Sequence, residues 1–123
     1  MPDSDDNSIS LAALQRSVDD WIAQHGVRYF GELTNLAQLI EEVGELARLL
    51  SRAHGEQSFR RGTEPESIPE AVADEMADVL FVLVCLANQT GTDLTAAVQR
   101  NLEKKTVRDA TRHRENPKLN PPG

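Results

Sequence analysis

Asp74-Glu75-Met76-Ala77-Asp78 runs without a break into Val79-Leu80-Phe81-Val82-Leu83-Val84-Cys85-Leu86-Ala87. Three carboxylates open a run of nine consecutive apolar residues, so one helix has to carry acid at one end and deep core at the other. A helix that is apolar all round is a buried helix, and it draws the carboxylates at its mouth partly out of water. Desolvated carboxylates protonate unless a cation or a strong donor holds them ionised. The remaining residues must supply or recruit that cation.

With 123 residues the chain has room for one domain and its core, but not for two. Aromatic residues make up only 4%, which leaves packing to Leu, Val, Ile and Ala and favours helices. Ser8 or Ser10 caps a first helix with Leu11, Leu14, Val18 and Trp21/Ile22 at helical spacing, ending near His25-Gly26. Residues 27–33 form a connector. A second helix starts at Thr34 or Asn35 and runs to Ala53, with Leu36, Leu39, Ile40, Val43, Leu46, Ala47 and Leu50 as its stripe. Residues 56–68 read as a polar loop, long enough to be a lid or binding element. Pro69 suits the first turn of a third helix that continues to Gln89. Thr90-Gly91 closes it, and Thr92 caps a fourth helix carrying Leu94, Val98 and Leu102 towards Arg112. The expected organisation is a flexible 1–8, an all-α four-helix domain over 9–114 and a flexible tail at 115–123.

Three amphipathic helices cannot surround a helix as apolar as 79–87, so a second copy is expected to complete the burial. A formal charge of −7 argues against nucleic acid as a partner. No apolar run is long enough to span a membrane, and the acidic start lacks a secretory pattern, which points to the cytoplasm. Cys85, inside the apolar run, reads as core filling.

The second helix carries acids of its own in Glu41-Glu42-Val43-Gly44-Glu45. At about 100° per residue, Glu42 and Glu45 share one side of the stripe. Glu75 and Asp78 have the same spacing. If the two helices pack antiparallel, two carboxylate pairs face each other across a groove and repel unless a divalent cation sits between them. Oxygen ligands select Mg²⁺, Mn²⁺ or Ca²⁺ over Zn²⁺, and His25, His54 and His113 lack the paired spacing of a zinc site. Spacing alone fits a structural charge network equally well.

Glu42-x-x-Glu45 and Glu75-x-x-Asp78, followed by the long apolar helix, resemble the signature of MazG-type nucleotide pyrophosphohydrolases. These belong to the all-α nucleoside triphosphate pyrophosphatase superfamily, and the flanking sequence resembles their short single-domain branch. Arg28-Tyr29-Phe30 and the run Asp78 to Asn88 add to the likeness, which covers residues 9–112; the gap from Glu45 to Glu75 is at the long end for that family. The resemblance implies Mg²⁺-dependent cleavage of a (d)NTP to (d)NMP and pyrophosphate in nucleotide-pool house-cleaning, with Mn²⁺ as a substitute metal. It implies Glu42, Glu45, Glu75 and Asp78 as metal ligands. Glu41 would orient or deprotonate the attacking water, although Glu41 and Glu42 could exchange roles. It also implies Lys104 and Arg108 on the fourth helix as phosphate ligands, and a homo-oligomer, a tetramer built as a dimer of dimers or else a dimer. A dUTP-specific or phosphoribosyl-ATP-specific relative fits the same motifs. The competing class is a non-enzymatic helical oligomerisation or regulatory module that binds a divalent ion.

Lys104 and Arg108 are four apart and so share a face, which a basic helix end balancing the dipole would equally explain. Arg60 and Arg61 read as solvated loop residues. Trp21, Tyr29 and Phe30 could stack on a base, but in a chain so poor in aromatics core anchoring is the simpler expectation.

Overall fold

Two long helices form the centre of the molecule: α2 over Glu32–His54 and α3 over Ile68–Gln89. They run antiparallel, because Asn35 near the start of α2 bonds Gln89 at the end of α3, while Glu42 further along meets Glu75 and Asp78 near the start of α3. The computed structural model describes residues 7–121. Among these residues there are four helices and no strand, the all-α architecture expected from the helical stripes. The proposed flexible N-terminus lies outside the described residues except for positions 7 and 8.

Helix α1, Leu11–Trp21, begins where Ser10 accepts the amide of Ala13 at 3.0 Å, and it packs antiparallel on α3. Gln15 bonds Asn88 at 3.0 Å, and six residues later the Trp21 ring meets the Phe81 edge at 5.6 Å. The helix then widens into a π-helical turn, Ile22–Gly26. Val27 follows at φ 71° and ψ −55°, and the amide of Arg28 bonds the Gly26 carbonyl at 2.8 Å. That is a γ-turn centred on a β-branched residue, a conformation L side chains adopt only under strain. It turns the chain sharply towards Tyr29 and Phe30.

The start of α2 falls at Glu32, with Gly31 as cap, rather than at Thr34 or Asn35. Asn35 is instead a buried interior residue. Pro69 lies in the first turn of α3 as expected, with Ser67 accepting from the Glu70 amide. α3 ends in a Schellman arrangement: Gly91 takes φ 68°, and the amides of Thr92 and Gly91 return to Ala87 and Asn88. This consumes Thr92, so Asp93 caps α4, Leu94–Asp109, in its place. Beyond α4 the chain up to Pro121 folds back on the helix end, with the Asn120 amide donating to the carbonyls of His113, Arg114 and Asn116.

Val18, Val84 and Cys85 form the buried core, with Leu14, Ile22, Phe81 and Leu94 packed around them. A fully buried valine contributes about 1.5–3 kcal/mol, and Val84 is completely enclosed. Burial pushes the Cys85 thiol up, which keeps it unreactive. Not every face of α3 is covered within the chain. Val82, Val84, Cys85 and Ala87 are buried, whereas Met76, Leu80 and Leu83 remain open, as do Leu36, Ile40 and Val43 on α2. These six are between 41% and 64% exposed. Each stripe is displaced by about 100° in the same rotational sense from the α2–α3 contact. For antiparallel neighbours that places both on one side of the pair, away from α1. α4 packs on α1 near its start, and from Val98 to Arg108 every residue is exposed. No described helix is long and apolar enough to cross a membrane.

Candidate active site

Antiparallel packing of α2 on α3 brings Glu42, Glu75 and Asp78 together, one carboxylate oxygen of each lying within 4.8 Å of the other two. Oε2 of Glu42 and Oε2 of Glu75 are both shut off from solvent and have no hydrogen-bond partner. An ionised carboxylate only accepts hydrogen bonds, so these acids cannot satisfy one another. Desolvation raises the pKa of Glu42, and the charges of Glu45, Asp78 and Glu41 raise it further. Glu75 is raised for the same reasons, by desolvation first and then by Glu45, Asp78 and Glu42. Glu45 therefore borders both members of the buried pair, although its own side chain is exposed. Glu41 is exposed one turn earlier, on the same face as Glu45.

No cation of the described residues neutralises this group, since every ion pair among them involves Asp109 at the end of α4. Convergent hard oxygens, two of them buried and unpartnered, fit a divalent cation. No histidine or cysteine belongs to the cluster.

A cavity opens on each side of the acids. One, of about 270 Å³, is walled by Trp21, Phe30, Phe81 and Val82, with Asn35 and Gln38 as polar groups. Gln38 is one turn before Glu42 and Val82 one turn after Asp78, so this cavity begins about 6 Å along the helices from the acids. Trp21 and Phe30 are half exposed, at 50% and 54%, and wall the cavity rather than anchoring the core. Tyr29 does pack on the core, and its hydroxyl donates to Asp19 while accepting from Asn88. The second cavity, of about 250 Å³, lies in the other direction and is bordered by Glu45 and Glu75. Arg48 and Arg52 line it, with Phe59, Thr63 and Pro65 of the long loop. The acid motifs do not point to these two arginines. Their only signal in the sequence is spacing, three and seven residues after Glu45 on one helical face.

Lys104 and Arg108 do share a face of α4, where they line a shallow groove with Arg100, Glu103 and Val107. No residue of α2 or α3 borders that groove. Arg108 is held by Asp109 through two bonds of 3.0 and 2.8 Å, which raises its pKa and lowers that of Asp109.

The model of the MazG nucleotide pyrophosphohydrolase domain matches residues 30–113. The chain belongs to the MazG nucleotide pyrophosphohydrolase domain family. The match contains α2, the loop, α3 and α4, and so both acid pairs, while α1 with Trp21 lies before it. The uncharacterised protein YpjD of Bacillus subtilis (strain 168) is 40% identical over 103 residues, 84% of this chain and 89% of YpjD. A crystal structure of YpjD, described as a candidate pyrophosphatase, has a TM-score of 0.68 at 38% identity, covering 80% of this chain and 96% of that one. The crystal structure of the Bacillus-conserved MazG protein, a nucleotide pyrophosphohydrolase, gives 0.66 at 33% identity, with 80% and 90% covered. MazG membership supports a hydrolase acting on an acid anhydride with a nucleotide as substrate. MazG enzymes are typically divalent-metal dependent, and the acidic cluster has the chemistry that dependence requires.

Proposed function

We propose that this MazG protein hydrolyses nucleoside triphosphates between the α- and β-phosphates, with Mg²⁺ as its metal, in the cytoplasmic nucleotide pool. The observation that carries this reading is the pair of buried, unpartnered oxygens of Glu42 and Glu75, set between two cavities. Glu42, Glu45, Glu75 and Asp78 would hold the metal, and Mn²⁺ would substitute. A divalent cation held there would neutralise charge on the phosphates during an in-line displacement. The base and sugar occupy the aromatic cavity, where Trp21 and Phe30 offer stacking faces and Asn35 and Gln38 offer amides.

Glu41 is assigned as the base and Glu42 as a ligand, because a Glu42 oxygen belongs to the converging group while Glu41 stands exposed beside it. Glu41 orients the attacking water and takes one of its protons. The water oxygen bonds to the α-phosphorus, and the bond from that phosphorus to the bridging oxygen breaks, its electron pair leaving with pyrophosphate. Lys104 and Arg108 bind phosphate once α4 of one copy meets the acids of another, which makes a homo-oligomer part of the reading. The open stripes on α2 and α3 are the surface available to build it, as a tetramer of two dimers or as a dimer.

Incubation with Mg²⁺ and each common ribo- and deoxyribonucleoside triphosphate in ¹⁸O water tests the proposal. Monophosphate carrying the label, with unlabelled pyrophosphate, is the expected result. Label in pyrophosphate, release of diphosphate and phosphate, or no turnover by folded protein across the panel would overturn it.

A further inference from the structure

The aromatic cavity and the four acids leave the second cavity without an occupant. Arg48 and Arg52 follow Glu45 on one face of α2, about 4.5 and 10.5 Å further along the axis. A Glu followed three residues later by an Arg ordinarily pairs across the helix surface. Here neither Arg48 nor Arg52 forms an ion pair with any described residue, although Glu45 and Glu75 border the same cavity. Among the described residues the one bond made by either guanidinium runs from Arg52 to the carbonyl of Arg48, at 3.3 Å. Nearly all their donors are therefore free and close to the acids. Phe59 and Pro65 wall the cavity on the loop side, which lowers the water available to a bound anion.

The two cavities give the site a direction. With the base between Trp21 and Phe30, a triphosphate crossing Glu42, Glu75 and Asp78 continues towards Arg48 and Arg52. Arginine forks match phosphate oxygens bidentately, which a lysine cannot do. We propose that Arg48 and Arg52 bind the β- and γ-phosphates of the substrate and retain the departing pyrophosphate in the cavity bordered by Phe59, Thr63 and Pro65. The assignment rests on the hydrolase reading and extends it to a phosphate subsite within one chain, distinct from the cations of α4. When the bond to the α-phosphorus breaks, the electron pair on the bridging oxygen develops beside these guanidinium donors.

Binding of inorganic pyrophosphate, measured by calorimetry with Mg²⁺ present, tests the subsite without turnover. Wild-type protein is expected to bind it, and R48A/R52A to bind at least about tenfold more weakly, as loss of charge-assisted bonds requires. R48K/R52K keeps the charge without the fork and should fall between them. Nucleoside monophosphate binding and the Mg²⁺-induced rise in Tm should stay unchanged in both variants, which also reports that they fold. Wild-type protein that does not bind pyrophosphate, or variants that bind it as wild type does, would overturn the assignment. If wild type binds pyrophosphate and the variants lose it while no triphosphate is hydrolysed, the subsite stands and the hydrolase reading falls. Hydrolysis with unchanged KM and unchanged pyrophosphate inhibition in R48A/R52A would give the opposite result.

Discussion

Asn35 and Glu42 lie two turns apart on α2, both turned towards α3, and they meet opposite situations. Asn35, only 4% exposed, donates to Gln89 at 2.8 Å and to the Phe30 carbonyl at 3.4 Å. Gln89 donates to that same carbonyl, and beside it Gln15, Asn88 and Tyr29 satisfy one another in turn. An amide carries both donor and acceptor, so amides across an interface close their own network. Carboxylates facing carboxylates have acceptors only, and the chain leaves them open. The amide end of the helix pair is therefore architecture that the sequence completes by itself. The acid end needs something from solution.

The strongest way to break this contrast is to swap its two halves. Glu75→Gln or Asp78→Asn is expected to cut turnover by about a hundredfold or more, as loss of a group that manages transition-state charge does, while the fold holds. Asn88→Ala should do the reverse, costing about 1–3 kcal/mol of stability for its stranded partners Gln15 and Tyr29 with kcat of the folded fraction unchanged. Steady-state kinetics beside thermal melts would show it; equal losses of activity from both would erase the distinction.

A second measurement sharpens it through pH. Folding raises Glu42 and Glu75 above their ordinary value of 4.5, so the folded state holds their protons longer than the unfolded chain does. Their contribution to stability is complete below that value and is lost as pH rises through the raised ones. Metal-free protein should thus lose Tm as pH climbs above 4.5 and through the raised values, Mg²⁺ should restore it, and E42Q/E75Q should remove most of both effects. A melting profile in which the double variant keeps the wild-type slope would show that other carboxylates carry it.

A smaller effect concerns assembly. Ile40→Asp and Leu80→Asp probe the open stripes, since both side chains stand exposed in the single chain, and each should lower the mass seen by light scattering. Co-expression of Glu75→Gln with a K104A/R108A chain should give mixed oligomers that regain activity neither variant has alone. Silent mixed oligomers would show that α4 serves its own chain or none.

Most of the helical architecture was legible because period and punctuation agree: Ser10, Gly55, Pro69 and Gly91 stop or start helices where their backbone chemistry requires. Boundaries shifted where a residue had two uses. Asn35 resembles a cap yet is a buried partner of Gln89, and Thr92 is drawn into the end of α3, leaving the capping to Asp93. Nothing local marks the π-helical turn or the γ-turn. The convergence of Glu42, Glu75 and Asp78 follows from spacing plus antiparallel packing. The two cavities do not, because each is assembled from three or more segments: the aromatic one from α1, the turn after it, α2 and α3, the arginine one from α2, the loop and α3.

The γ-turn at Val27 sets stability against activity. Its hydrogen bond closes a three-residue ring while the side chain stands 86% exposed, so the residue gives up a relaxed backbone and gains no packing. Glycine there would release strain on the order of 1–3 kcal/mol, less about 0.5–1 kcal/mol for its greater freedom in the unfolded chain. The same glycine would let the chain leave the π-helical turn in several directions, and with it Tyr29 and Phe30. A library at position 27 selected for heat resistance should therefore enrich glycine. Selected for turnover, the same library should keep residues that hold the aromatic wall at one angle.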